Sequence, residues 1–216
     1  LNSDIPDELL GRKYGVKAVP EDVSGIPRAA KLIAGASRPV MFIGGGAADA
    51  SREVATLAEM CGMPVITTLM SLGILPSEHP LNMGPIGMHG RLGALDAFQQ
   101  ADIVIAVGTK FSDRTYSPHT AAGRDCKVVQ IDIDPTQLGK SQRDGVNICC
   151  DAKRGVGLLI AALKDYRGAH REWNDKCAEY KRRCRCSFDF DTDPIAPQKV
   201  MCEINGILDD DTVITT

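Results

Sequence analysis

The run Val40-Met41-Phe42-Ile43-Gly44-Gly45-Gly46 passes from four apolar residues straight into three glycines. Asp49 follows, and then Val54, Leu57, Ala58 and Cys61 recur at i, i+3, i+4 and i+7 before Gly62 and Pro64 end the pattern. A short apolar run, a glycine turn and a helical period predict one strand–turn–helix unit, with Asp49 placed to cap the helix and Gly62 to close it. The same alternation extends both ways. Upstream, Ile26, Ala29, Ala30 and Ile33 predict a helix over residues 26–36. Downstream, residues 65–68, 103–107, 128–133 and 146–150 are further strand-like runs, and the unbroken Ile-Val-Ile-Ala-Val at 103–107 suits a strand buried on both faces. Leu92, Leu95 and Phe98 mark a helix after a long Gly- and Pro-rich loop, and Asp151 caps another carrying Val156, Leu159, Ile160 and Leu163. This order predicts an α/β fold: a doubly wound, mostly parallel six-stranded sheet, Rossmann-like, five of whose strands are these runs. Right-handed crossovers gather the strand-to-helix loops at the carboxyl edge, where such sheets bind ligands.

Composition narrows the function classes. The chain has 216 residues, 44% hydrophobic and 25% charged, with 25 basic and 28 acidic side chains and a net charge of −3. That balance supports a packed core and argues against a nucleic-acid groove or a membrane-binding face. No apolar run approaches the roughly 18 residues of a membrane-spanning helix. Eight cysteines are present, with no Cys-x-x-Cys; Cys149-Cys150 and Cys184-Arg185-Cys186 are the close pairs. Neither has metal-site spacing, so reduced thiols in a cytoplasmic protein and no metal site are expected.

The flanks differ in character. Residues 1–22 lack periodicity and read as a linker, and residues 23–165 read as one α/β domain with room for a nucleotide-sized ligand at its sheet edge. Residues 166–193 read as a linker helix, with Trp173, Cys177, Tyr180 and Cys184 as its narrow apolar stripe. Residues 194–216 read as the truncated start of a further domain, with a helix carrying Val200, Met201, Ile204 and Leu208 and a strand opening at Thr212. The polar start at Leu1 and the apolar run before Thr216 suggest a piece of a longer chain.

Gly44-x-Gly46-x-x-Asp49 begins like a dinucleotide fingerprint, but the third small residue is Asp and Thr67-Thr68 supplies no carboxylate for a ribose. A nicotinamide dehydrogenase is therefore disfavoured. Two readings of the glycines stay open: close approach of a ligand, or a plain tight turn. His89 has no adjacent nucleophile or orienting acid, which leaves ligand contact or helix capping; His79, His119 and His170 are expected to be solvated. Asp113 and Arg114 either contact a ligand or pair with each other. Asp132 and Asp134 either accept from a ribose or adenine, or cap a turn.

Taken together, RPVMFIGGG (38–46), GMPVITTLM (62–70), GPIGMHG (84–90), ADIVIAVGTKFSDR (101–114) and QIDIDPTQLGK (130–140) resemble, in order, the central domain of thiamine-diphosphate-dependent enzymes. Within that family the match is to the catalytic subunits of acetolactate synthase, also called acetohydroxyacid synthase. The resemblance covers about residues 20–165, and IAPQKV with DDDTVITT resembles the opening of the cofactor-pyrophosphate domain. It implies a structural, non-redox FAD. The flavin nucleotide would lie along Gly44, Gly45 and Gly46 with Thr68, Leu69 and Met70 beside it. Gly87, Met88 and His89 would approach the flavin, and Gly108, Thr109, Lys110, Asp113 and Arg114 would line the next loop. Asp132, Ile133, Asp151 and Ala152 would hold the adenosine end. The family usually has Arg where this chain has Lys110, and Val-Thr-Gly where it reads Thr115-Tyr116-Ser117-Pro118.

The implied reaction joins two 2-oxo acids, pyruvate with pyruvate or 2-oxobutanoate, losing CO2 on the way to branched-chain amino acids. Thiamine diphosphate and Mg2+ carry that chemistry in domains outside this sequence, so no catalytic residue is expected here and the fragment alone should be inactive. Implied partners are further copies of the chain, as a dimer or tetramer, and a small regulatory subunit. The alternatives are another thiamine-diphosphate carboligase or decarboxylase, or a stand-alone nucleotide-binding module.

Overall fold

The structure is a computed structural model that describes residues 20–112, 122–123, 125–140, 144–168, 170–183, 191–209 and 211–213. Six strands form one parallel sheet: β1 (Pro39–Ile43), β2 (Val65–Thr67), β3 (Asn82–Pro85), β4 (Ile103–Val107), β5 (Lys127–Asp132) and β6 (Gly145–Cys149). Their spatial order is β3-β2-β1-β4-β5-β6. The chain winds outward from β1 to β3, then returns to the other side of β1 with β4. That reversal opens a crevice between the loops that follow β1 and β4. The expected doubly wound α/β architecture is therefore present.

Both faces of the sheet are covered. Along β1, Met41 and Ile43 point into one core and Val40 and Phe42 into the other, the period-two alternation of a doubly buried strand. The first core is closed by α1 (Ile26–Ala34), α2 (Ser51–Cys61) and α4 (Ala152–Ala162). Their buried faces include Ile26 and Ile33, Val54 and Leu57, and Val156 and Leu159. Asp151 caps α4, its carboxylate accepting from Arg154 N–H at 3.2 Å. Gly62 ends α2 at φ 58°, in the left-handed region that suits glycine. The second core lies under α3 (Leu92–Gln100) and α5 (Arg171–Arg183), with Phe42 and Phe98 meeting edge-on at 5.4 Å.

Several local expectations are corrected. Asp49 does not cap α2. It lies inside a 3-10 turn, Gly45–Ala50, and the cap position is Ala50 with no side-chain bond. The face of α3 is Gly93, Ala94, Ala97 and Phe98, whereas Leu92 is 68% exposed. Small residues prevail there because a Cβ on Gly93 would come within 2.6 Å of the Tyr180 carbonyl oxygen of α5. β3 falls inside the long loop expected from the sequence, since Asn-Met-Gly-Pro has no β-branched residue. Its strand geometry comes from pairing with β2 at the sheet edge, where Pro and a register irregularity are tolerated.

His79 and His170 are partly buried and hydrogen-bonded rather than free in solvent. His79 Nδ1 accepts from Leu81 N–H at 3.2 Å and Nε2 lies 3.1 Å from Glu59, while half-buried His170 lies 3.0 Å from the Tyr166 hydroxyl. Burial lowers the His170 pKa from its ordinary value. His119 and Cys184 lie outside the described residues. In α6 (Pro197–Asn205) no residue is buried, Val200, Met201 and Ile204 are exposed, and Leu208 lies beyond the helix end. Residues 212–213 carry no strand.

Six described cysteines are free thiols. Burial pushes Cys61 and Cys150 up to about 11 and Cys126 and Cys177 up to about 12, so these sulfurs are packing atoms rather than nucleophiles. Among the described residues no group of three potential metal ligands occurs, and no helix is long and apolar enough to cross a membrane.

Candidate functional site

The loop after β1 and the loop after β4 cross at the switch point. Gly44 N–H donates to Val107 at 2.9 Å and Gly46 N–H to Gly108 at 3.0 Å. A Cβ on Gly44 would meet the Gly108 carbonyl oxygen, and one on Gly46 would stand 3.0 Å from Gly108 Cα. Gly108 itself has φ +54°. Two of the three consecutive glycines thus serve the crossing of backbones. Gly45 differs: its Cβ position clears everything but Met70 at 3.4 Å, and its N–H is not used in these bonds.

Ser71 builds the second wall. Its buried hydroxyl donates to Ile43 O at 2.7 Å and accepts from Thr68 N–H at 2.9 Å, closing a 3-10 turn over Leu69–Ser71 against the end of β1. That turn holds Leu69 62% and Met70 80% exposed at the mouth. The third wall follows β3: Ile86 N–H donates to Thr67 O at 3.1 Å and Arg91 N–H to Pro85 O at 2.7 Å, leaving Met88 75% exposed. His89 caps nothing, since Arg91 holds the cap position of α3 without a side-chain bond.

These walls enclose a cleft of about 910 Å³ at the carboxyl edge of the sheet, within the size range of cofactor pockets. Its lining joins Gly44, Gly45, Gly46, Thr68, Leu69, Met70, Met88, His89, Gly108, Thr109 and Lys110. Gly87, at φ 108°, sits between lining residues without facing the cleft. Pro85, Ile86 and Ser112 also line it, unsuspected from sequence; the first two follow from the undetected strand β3. Lys110 is the one lysine or arginine of the lining among the described residues. Thr109 is 1% exposed and its hydroxyl has no hydrogen-bond partner among the described residues. A buried orphan hydroxyl is costly unless something completes it.

Asp132, Ile133, Asp151 and Ala152 end the neighbouring strands β5 and β6 and open α4, outside this lining. Asp132 is buried and accepts from Asp134 N–H at 2.9 Å; desolvation raises its pKa above the usual carboxylate range. Asp134 accepts from Thr136 N–H at 2.9 Å and from its hydroxyl at 2.7 Å, so it caps a turn. Those bonds lower its pKa. Asp113 and Arg114 lie outside the described residues.

Comparison with known proteins gives the chain its family. The chain is 39% identical to a probable acetolactate synthase large subunit of Methanocaldococcus jannaschii, over 88% of this chain and 34% of that protein. It is 38% identical to the acetolactate synthase large subunit of Corynebacterium glutamicum, over 82% of this chain and 29% of that protein. An acetolactate synthase of Mycobacterium leprae is 43% identical over 65% and 23%. The chain therefore spans about a third or less of the length of the curated relatives it matches. The profile of the family "Thiamine pyrophosphate enzyme, central domain" matches residues 26–161, a span that contains every strand of the sheet. On that match the chain belongs to the family of thiamine pyrophosphate enzyme central domains.

Proposed function

We propose that this chain is the nucleotide-holding central domain of an acetolactate synthase large subunit, and that its cleft takes FAD in a structural role. The observation that carries the reading is the buried Thr109 hydroxyl, unpartnered among the described residues, in a largely apolar cleft whose described lining holds a single lysine. A flavin dinucleotide has that make-up: an anionic pyrophosphate, hydroxyl-rich linkers and a broad flat ring. Lys110 and Gly45 N–H suit the pyrophosphate, and Met70, Met88 and His89 the ring. Asp132, Ile133, Asp151 and Ala152 suit the adenosine end. Bound there, the flavin supplies a rigid filler between loops rather than electrons.

In the whole enzyme, pyruvate condenses with a second pyruvate or 2-oxobutanoate with loss of CO2, and thiamine diphosphate with Mg2+ supplies the carbanion chemistry. Residues 23–165 are the domain proper in this reading, residues 1–22 and 166–193 its linkers, and residues 194–216 the start of the cofactor-pyrophosphate domain. The whole enzyme is a cytoplasmic homo-oligomer, a dimer or tetramer, that takes a small regulatory subunit. The chain alone is inactive because its own residues only bind and orient.

The test is to add FAD to the purified chain and record flavin absorbance after desalting, together with the thermal transition. Retained chromophore and a raised Tm support the reading; the absence of both overturns the flavin assignment. Acetaldehyde rather than acetolactate from the whole enzyme and pyruvate would instead assign it to a thiamine-diphosphate decarboxylase.

A further inference from the structure

We propose that α5 is a strap: its docking on the second face of the sheet and the order of the cleft wall over residues 82–90 are coupled. Helix α5 lies beyond the segment matched to the family, yet it completes the second core. Trp173, Cys177 and Tyr180 are buried there with Met83 and Ile86, so the inner side of the cleft wall and the strap share one packed layer. Directional bonds fix the strap across three elements. Trp173 Nε1 donates to Pro39 O at 3.1 Å at the start of β1. Gln100, at the end of α3, donates to the Tyr180 hydroxyl at 2.6 Å and accepts from Lys176 at 2.7 Å. Lys181 donates to Ser77 O at 3.4 Å and to His79 O at 3.2 Å, in the segment that feeds β3.

That segment matters because β3 is a four-residue edge strand with β2 as its one strand neighbour and an irregular register. A short edge strand of this kind belongs to the least stable part of a fold, and its order depends on what packs behind it. Lys181 holds the entry of β3, while Tyr180 rests on Gly93 in the helix that follows the wall. Undocking α5 therefore releases the wall at both ends. By reciprocity, a ligand that fills the cleft holds α5 down. This last step rests on the proposed FAD reading; the mechanical coupling does not.

The experiment is residue-resolved hydrogen exchange on the full chain with Lys181→Met, which removes both hydrogen bonds of the ammonium and keeps an apolar stem, and Gly93→Ala, which puts a methyl into the Tyr180 backbone. Exchange over residues 171–183 and 82–90 should rise together by about tenfold in Lys181→Met, with β5 and β6 unchanged and Lys181→Arg close to wild type. Faster exchange in α5 with an undisturbed wall would overturn the strap, as would an α5 that stays protected with a methyl at position 93. FAD added to the wild type should slow exchange in α5, and FAD bound without that effect would overturn the coupling. A wild type that binds no FAD removes the flavin reading alone, because the two variants decide the strap without ligand.

Discussion

Gly46 and Gly108 meet backbone to backbone at the switch point of the sheet: the Gly46 N–H donates to the Gly108 carbonyl at 3.0 Å, and a Cβ on Gly108 would stand 2.5 Å from the Gly46 carbonyl carbon. With Gly108 also at φ +54°, Gly108→Ala combines left-handed strain with a backbone clash and should cost about 3 kcal/mol. Gly73→Ala is the control: φ is +88° but nothing lies within 4 Å, so strain alone should cost about 1–2 kcal/mol. Urea unfolding of both variants checks the difference, and equal losses would mean that the loop crossing carries no packing constraint.

The orphan hydroxyl of Thr109 makes opposite predictions for stability and binding. Without ligand, Thr109→Val removes an unpaired buried polar atom at equal shape and should be neutral or stabilising by about 1 kcal/mol. If the hydroxyl serves FAD, the same variant should bind it about tenfold more weakly, read by flavin titration. Loss of stability in Thr109→Val would show that the hydroxyl already has a partner.

Asp132 sets a pH dependence. Its folded pKa is raised by desolvation, so the folded state holds the proton more tightly than the unfolded chain. The stability it contributes is present below the unfolded carboxylate pKa and is lost as pH rises through the raised folded value. Asp132→Asn keeps an acceptor for Asp134 N–H and should abolish that decline, in thermal melts from about pH 3 to pH 7, around the ordinary carboxylate range. Parallel melting curves for the two proteins would remove Asp132 as the cause.

Buried thiols should be silent. Cys61 and Cys177, pushed up to about 11 and about 12, should resist alkylation in the native chain while exposed Cys202 reacts. Peptide mass spectrometry after a short iodoacetamide pulse reads this directly. Labelling of Cys61 or Cys177 at the rate of Cys202 would mean that the cores open locally.

Much of the site was legible because its residues follow strands that announce themselves. The runs before Gly44, Thr68 and Gly108 end in loops that a parallel sheet must bring to one edge, and all three loops line the cleft. The wall after β3 was only partly legible: Met88 and His89 were singled out, but Pro85 and Ile86 were not, because a Gly-Pro strand has no periodicity of its own. Ser71, which pins the Leu69–Ser71 turn to β1, carried no signal either. Its partner Ile43 is far along the chain, and one serine in a loop resembles any other.

The α/β class, five strands and the buried faces of α1, α2 and α5 were legible in the sequence, because an unbroken apolar run marks a strand covered on both faces and a repeat of 3.6 residues records which side of a helix leaves water. Only the tertiary packing shows that Gly44, Gly46 and Gly108 serve a backbone crossing, that α3 turns Gly93 and Ala97 inward rather than Leu92, that Asp49 does not cap α2, and that the buried Thr109 hydroxyl has no partner among the described residues. These outcomes depend on atoms brought together from distant parts of the chain, and local periodicity carries no record of them.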